Sequence, residues 1–324
     1  MGTVETVRGP VDASSLGPTL MHEHVFVRSL EIEQNWPTDW DPETKVAQAV
    51  ARLTELAEVG IAAVVDLTVP GLGRDLRLVK QVAEQVPITI VASTGYYTYD
   101  TLPHFFDGRI PALRAGGVDA LDEFFLHDIT EGIAGTGVRA GMLKCAVDEP
   151  GLTPGVERVL RAVARAHRQS GVPVTVHTHA ASRSGLEVQR VLGEEGVDLG
   201  RVVIGHSGDS TDLEYLTALM DAGSVIGMDR FGVDVYCPTA DRVDTVARLC
   251  QAGRADQMVL SHDASCHFDW YEPELVAAAT PNWHYLHISR DVIPALLERG
   301  VTEQQITTML VQVPRRVLDP VTPY

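Results

Sequence analysis

The chain has 324 residues, of which 45% are hydrophobic and 22% are charged, as is usual for a globular protein. Its 26 basic and 44 acidic residues give a formal charge of −18, which argues against nucleic acid or an anionic membrane as a partner. No run of 18 apolar residues predicts a membrane-spanning helix, and no secretory signal is recognisable at the N-terminus. We therefore expect a cytoplasmic protein whose four cysteines, which show no CxxC spacing, are reduced.

Eight short apolar segments have the near-continuous hydrophobicity of parallel strands that are covered on both faces. They lie near residues 18–26, 61–69, 88–96, 140–146, 172–179, 201–206, 224–230 and 257–263. Helical patterns alternate with them, at Glu43 to Glu58, from Thr153 to about Ser170, from Asp209–Thr211 to about Gly223, and at 301–318. Thr153, before Pro154, is the expected N-cap of the second helix, and Pro314 interrupts the last one. This alternation, without a polar linker, predicts a single (β/α)₈ TIM barrel over residues 1–324, with a doubly wound open sheet as the alternative.

Two connections are longer than the usual few residues, at about 229–242 and 264–283. The second is rich in aromatic residues and also carries a cysteine, namely Cys266, Phe268, Trp270, Tyr271 and Trp283. Long loops after late barrel strands are typical of substrate pockets. The alternative is that these aromatic side chains pack the loops onto the barrel rim.

Histidine, lysine and aspartate residues end several of the predicted strands, where the active sites of barrels lie. His22 and His24 are two residues apart on the first strand, so their side chains should face the same way. The other candidates are Lys144, His177, His206 and Asp263. A lone histidine at a strand end is more often a hydrogen-bonded core residue, but convergence of all these groups on one rim favours a metal site. By strand alternation His179 should face the same way as His177, so this argument alone leaves both open.

Lys144 follows an apolar run, and burial there should lower the pKa of its ammonium group and favour the free amine. A free amine can add carbon dioxide to form an anionic carbamate, whose two oxygens suit a bridge between two metal ions. The alternative is a lysine that reaches solvent or pairs with Asp148 or Glu149.

Six ordered motifs together resemble the phosphotriesterase family of the amidohydrolase superfamily, and within it the phosphotriesterase-like lactonases. They are Met21-His22-Glu23-His24, Gly141-Met142-Leu143-Lys144-Cys145, His177-Thr178-His179, Gly205-His206-Ser207-Gly208-Asp209, Gly227-Met228-Asp229-Arg230-Phe231-Gly232 and Ser261-His262-Asp263. The resemblance covers essentially the whole chain.

This resemblance implies two divalent ions per chain, with zinc as the first expectation and cobalt, iron or manganese as alternatives. One ion would be held by His22, His24 and Asp263, and the other by His177 and His206. Lys144, as an N6-carboxylysine formed with carbon dioxide, would bridge the two together with a hydroxide. Asp263 would also move the proton during catalysis.

The resemblance also implies a substrate pocket and a reaction. Tyr97 would lie near the bridging hydroxide, Arg230 would line the cleft, and further substrate contacts would come from Tyr99, Cys266 and Trp270. The implied reaction is hydrolysis of lactones, N-acyl homoserine lactones first, with organophosphate triesters as side substrates, in a homodimer. The alternatives are a dedicated phosphotriesterase, an amide-ring hydrolase, a non-catalytic binding barrel, and a metal-free aldolase that uses Lys144.

Overall fold

The computed structural model describes residues 2–324. Its strands are β1 (Thr3–Val4), β2 (Val11–Asp12), β3 (Thr19–Val27), β4 (Ala63–Asp66), β5 (Thr89–Gly95), β6 (Met142–Val147), β7 (Val174–Thr178), β8 (Val202–Gly205), β9 (Val225–Met228), β10 (Met258–Leu260) and β11 (Ser265–Phe268). Its helices are α1 (Leu30–Asn35), α2 (Pro42–Glu58), α3 (Leu76–Ala83), α4 (His104–Asp107), α5 (Ala120–Thr130), α6 (Pro154–Ser170), α7 (Ser184–Glu194), α8 (Leu213–Asp221), α9 (Thr239–Gln251), α10 (Pro273–Ala279), α11 (Ile293–Glu298), α12 (Glu303–Thr307) and α13 (Val313–Leu318). Within residues 2–324 no helix is both long enough and apolar enough to cross a bilayer.

The strands β3 to β11 form one parallel sheet in the order β10-β9-β8-β7-β6-β5-β4-β3-β11. The sheet closes on itself because the segment after β10 runs along β3. There the Asp263 N–H donates to the His22 carbonyl at 3.0 Å, and the His22 N–H donates to Ser261 Oγ at 2.8 Å. The predicted TIM barrel is therefore confirmed.

The eighth predicted strand differs from the observed one. We expected regular strand over 257–263, but pairing with β9 ends at Leu260. Asp263 then adopts a left-handed backbone conformation with φ of 55°, and the chain resumes as β11 against β3. An L-residue in that conformation cannot continue a strand, so the eighth barrel position is shared by two short strands.

The helix predictions hold with small shifts at the ends. Thr153 caps α6 as expected, and Pro154 lies in its first turn. The helix expected from Asp209–Thr211 begins only at Leu213, because the Asp212 side chain provides the cap. The C-terminal segment divides into α12, a π-helical turn and α13, whose first turn contains Pro314.

The core has two layers, as a barrel requires. One side of the sheet packs against the helices. On the other side a smaller cluster of buried residues crosses the space that the strands enclose: Met21, Val65, Val91, Met142, Val203, Val225 and Val259. The β1–β2 hairpin and α13 contribute Val4 and Val317 to the same cluster and cover the N-terminal end of the barrel. The C-terminal ends of the strands are not covered by this cluster and are available for a functional site.

Candidate metal centre and substrate cavity

Two histidines of β3 and the aspartate after β10 face one another at the C-terminal end of the barrel. His22 Nε2 lies 3.4 Å from Asp263 Oδ1, and His24 Nε2 lies 3.1 Å from the same oxygen. The Lys144 amine of β6 is 3.1 Å from His22 Nε2. The potential ligand atoms of His22, His24 and Asp263 all lie within 4.8 Å of one another, close enough to share one ion.

His177 and His206 lie beside this group. His177 Nδ1 is 2.9 Å from His206 Nε2, and His206 Nε2 is 3.8 Å from Asp263 Oδ2. Asp263 thus contacts histidines of both halves of the cluster. The structure brings together all six residues that the sequence nominated as ligands.

The ring nitrogens that face away from the cluster are held by other side chains. Asp229 accepts from the Nδ1 of His22 at 2.8 Å and from the Nδ1 of His206 at 3.0 Å, while His24 Nδ1 lies 2.9 Å from Thr68 Oγ1. His177 Nε2 pairs with Asp148. These contacts fix the tautomers so that each remaining nitrogen is free to bind a metal.

Asp229 also lies within ligand distance of His22 and His206. Because its oxygens already accept from both Nδ1 atoms, we assign it to orienting the rings. Thr68 and Asp148 were missed in the sequence as partners of the site. Asp148 lies one residue beyond the end of β6 at Val147, so strand alternation gave no signal for it.

Burial controls the protonation of the cluster. It lowers the pKa of Lys144 to about 8 and that of His177 to about 4, and it depresses the pKa of His22 and His206. Burial raises the pKa of Asp263. The neighbouring His22 and His206 outweigh this effect and hold the pKa of Asp263 well below its usual range. Neutral imidazoles, an ionised carboxylate and a readily neutralised amine are the forms that metal binding and carbamate formation require.

This donor set fits divalent metal ions. It offers four imidazole nitrogens, one carboxylate and one buried lysine, which matches the preferences of zinc and its neighbours in the first transition row. In the structure Lys144 is an ordinary lysine that approaches His22; it does not pair with Asp148 or Glu149.

Two of these residues have unusual backbones. His206 and Asp263 have φ of 61° and 55°, which non-glycine residues rarely adopt. Such strained positions concentrate at functional sites, where the surrounding structure over-determines them. Gly95 allows β5 to approach Lys144 closely. Its φ is 138°, and a Cβ at this position would clash with the Lys144 carbonyl.

The other histidines near the cluster are separated from it by the structure. His179 faces out and pairs with Ser182 Oγ at 3.0 Å, because β7 ends at Thr178 and strand alternation no longer applies. His262 is buried, with its Nδ1 2.8 Å from Glu23 Oε1.

A cavity of about 670 Å³ opens directly above the cluster. Its polar end holds His22, His24, Lys144, Asp148, His177, Arg230 and Asp263. Its walls are mainly apolar or aromatic, with Val27, Leu72, Val233, Val235, Tyr236, Phe268, Trp270, Tyr271, Leu275, Val276, Ala279 and Trp283. Of these, only the aromatic residues of the last long loop were noted in the sequence; the valines and leucines carried no local signal.

Four of the five expected substrate contacts line this cavity, namely Tyr97, Tyr99, Arg230 and Trp270. Cys266 does not. Its thiol is buried and lies 3.3 Å from Tyr285 Oη, because neighbouring residues of β11 face opposite sides and Ser265 takes the cavity side. The expected pocket role of Cys266 is thus corrected.

Tyr97 and Arg230 lie at the boundary between the cluster and the cavity. The Tyr97 hydroxyl is 3.4 Å from His177 Nδ1, and burial raises its pKa well above 10, so it is a neutral donor. Arg230 donates to Asp263 Oδ2 at 3.0 Å and to Asp209 Oδ2 at 2.9 Å.

Comparison with known proteins agrees with this geometry. The sequence pattern of the Phosphotriesterase family matches residues 2–318. A "Phosphotriesterase homology protein" of Mycobacterium tuberculosis is 56% identical over 320 residues, 98% of each chain. An aryldialkylphosphatase of Saccharolobus solfataricus is 39% identical over 94% of this chain and 96% of its own.

More distant relatives and a solved structure extend the picture. An N-acetyltaurine hydrolase of Rattus norvegicus is 28% identical over 98% of each chain. The solved structure of the phosphotriesterase from Mycobacterium tuberculosis superposes with a TM-score of 0.97 at 56% identity, covering 99% of this chain and all of that one. This chain belongs to the phosphotriesterase family and is a hydrolase of that family.

Proposed function

We propose that this protein hydrolyses lactones that carry an acyl chain, with N-acyl homoserine lactones as the first candidates and organophosphate triesters as slower side substrates. The observation that carries the proposal is the division of the cavity into one compact polar end and a long apolar wall. Such a cavity suits a neutral ring that is attacked at its carbonyl and a hydrocarbon tail that leaves water.

The proposed cofactor is a pair of divalent ions, zinc first, held by the residues named above with Lys144 as its carbamate. When bound, the ions would supply an activated water molecule and a Lewis acid for the carbonyl oxygen. The pKa of about 8 for Lys144 supports carbamate formation, because a substantial fraction of the amine is then neutral near physiological pH.

The protein side chains would orient the substrate and move the proton. Asp263 would take the proton of the attacking water and pass it to the ring oxygen that leaves, which opens the lactone to a hydroxy acid. Tyr97 is placed to donate a hydrogen bond to the carbonyl oxygen as its negative charge develops. Arg230 would form the charged side of the ring subsite.

A dedicated phosphotriesterase is the second candidate, favoured by the names of two relatives. A tetrahedral phosphorus centre resembles the transition state of ester attack, so one site can serve both reactions. An amide hydrolase is a third, and the relative named for N-acetyltaurine supports it at lower identity. Tyr97 and Arg230 beside the apolar wall lead us to prefer the lactone.

Elemental analysis paired with pH-stat assays tests the proposal. About two divalent ions per chain with rapid opening of a long-chain acyl homoserine lactone would support it. Two ions with rapid turnover of an aryl dialkyl phosphate, but none of the lactone, would contradict the substrate and leave the metal centre intact. Lys144→Ala should lose metal and activity together, and added short-chain carboxylate should restore part of both.

A further inference from the structure

The backbone of Asp263 is held from several directions at once. Its left-handed φ of 55° separates the end of β10 from β11. The Asp263 N–H donates to the His22 carbonyl, and the Trp283 Nε1–H lies 3.0 Å from both the His262 and Asp263 carbonyl oxygens. A change of the Asp263 φ angle to an ordinary negative value would therefore break the hydrogen bonds made by its N–H and by the neighbouring carbonyl groups.

Glu23 accepts from the backbone N–H groups of the two residues that flank Asp263. This buried carboxylate accepts from the His262 N–H and the Ala264 N–H, each at 2.9 Å. It also accepts from His262 Nδ1 at 2.8 Å. The His262 tautomer is fixed, because its Nε2 accepts from the Ile288 N–H at 2.9 Å and Nδ1 must therefore carry the proton.

Only an acceptor fits the place of the Glu23 carboxylate. All three of its described partners are N–H donors. A glutamine would direct its NH₂ group at one of them, and the backbone on that side would have to move away. Glu23 lies between His22 and His24 on β3 but faces away from the cluster of ligands, so it is not itself a ligand.

We propose that Glu23 and Trp283 are positioning residues that hold the Asp263 carboxylate in the orientation needed for proton transfer to the leaving group. The inference rests on the proposed role of Asp263 in the proposed function. Trp283 has a second property, because its ring also forms part of the cavity wall. The same side chain would therefore face bound substrate, and it donates to the backbone carbonyl groups of His262 and Asp263.

A purely structural role for these residues would affect all substrates equally. Displacement of a proton donor affects most strongly those substrates whose leaving oxygen needs the proton. An alkoxide from a lactone needs it, a phenoxide needs it less, and a 4-nitrophenoxide needs it least. The dependence of kcat on the leaving group thus separates positioning from general damage.

The experiment compares metal-loaded wild type with Trp283→Phe and Glu23→Gln on an aliphatic lactone and on phenyl and 4-nitrophenyl esters. Metal content and melting temperature are measured for each protein. Trp283→Phe keeps an aromatic ring but removes the N–H. We expect kcat on the lactone to fall by about 10²-fold, the scale for a catalytic group displaced by about 1 Å. On the 4-nitrophenyl ester kcat should change little.

Trp270→Phe is the matched control. Trp270 also lines the cavity, but its indole makes no hydrogen bond to any part of residues 2–324 in the structure. It should alter KM for long acyl chains without a dependence on the leaving group.

Equal losses on all three substrates in Trp283→Phe, with full metal content, would overturn the inference, and so would unchanged kcat on the lactone. If Glu23→Gln fails to fold, Trp283→Phe still decides. Failure of the proposed function can be distinguished from failure of this inference. If the proposed function is wrong, the wild type does not open lactones, but the two aryl esters still measure the effect of the leaving group.

Discussion

Asp229 links two of the candidate ligand histidines, which come from different strands. Its two carboxylate oxygens accept from the Nδ1 atoms of His22 and His206, and the His206 N–H donates to it as well at 2.8 Å. Burial raises the pKa of this carboxyl, but the interactions with His206 and His22 outweigh burial and hold the pKa well below its usual range. An ionised acceptor at this point keeps both protons on Nδ1.

Asp229→Asn should therefore weaken metal binding by about 10- to 100-fold. The amide NH₂ would face one Nδ1, which would then have to accept, and the proton of that ring would move to the nitrogen that should bind metal. Competition with a metallochromic chelator measures the affinity. Asp209→Asn, which changes a partner of Arg230 but of no ligand histidine, is the control, and equal weakening in both variants would contradict the argument.

The candidate ligands were recognisable in the sequence, and the residues that orient them were not. Each candidate ligand ends an apolar run, and this pattern can be read from the sequence without a structure: His22, His24, Lys144, His177, His206 and Asp263. Asp229 also ends such a run, but its two partners are 207 and 23 residues away. The residues next to Asp229 in the sequence do not indicate which strands face each other across the barrel. Contacts of this kind could therefore be identified only from the folded structure.

Among the helices and strands, the N-cap of α6 was predicted because it depends on adjacent residues. Thr153 shows this for α6, where its Oγ1 accepts from the Val156 N–H at 3.3 Å and donates to the Asp100 carbonyl at 2.7 Å. The end of the eighth strand was not predicted. It depends on Glu23 and Trp283, which lie 240 residues back and 20 residues ahead of Asp263, and a window on the sequence cannot include either contact.

Thr153→Ala should lower the free energy of unfolding by about 1 kcal/mol, the usual cost of losing a threonine cap. Thr54→Ala is the matched control, because Thr54 lies inside α2 and its hydroxyl bonds only to the Val50 carbonyl of the same helix. There alanine gains helix propensity, and the change should stay within about 0.5 kcal/mol. Urea titrations of metal-loaded protein compare the two, and equal losses would show that Thr153 does not act as a cap.

Tyr324 at the C-terminus is held against α6 through His167. This buried histidine of α6 contacts the Val172 carbonyl through Nδ1 and the Tyr324 hydroxyl through Nε2, each at 2.8 Å. The Tyr324 oxygen also accepts from the Asp198 N–H at 2.8 Å. A neutral imidazole satisfies this network, and burial lowers the pKa of His167 below 6.5.

Stability should therefore fall as the pH drops below about 6.5, because the unfolded chain then binds a proton that the folded chain does not. His167 can contribute at most about 1.4 kcal/mol per pH unit in that range. Unfolding free energies at about pH 7.5 and about pH 5.5 should differ less in His167→Gln than in wild type. An unchanged difference would mean that other groups carry the pH dependence.

The proposed metal ligands connect strands around most of the barrel: β3 and β6 directly, β7 at its end, and β8 and β10 through the residues that follow them. Ions held there would bind the folded chain only and would stabilise it by about 2.7 kcal/mol at a hundredfold excess over the dissociation constant. A chelator should thus lower Tm by several degrees, and zinc or cobalt with bicarbonate should restore it. Lys144→Ala should begin at the lower Tm and respond little to chelator. A wild-type Tm that is insensitive to chelator, in protein shown by elemental analysis to have lost its ions, would mean that the barrel closes without help from the metal centre.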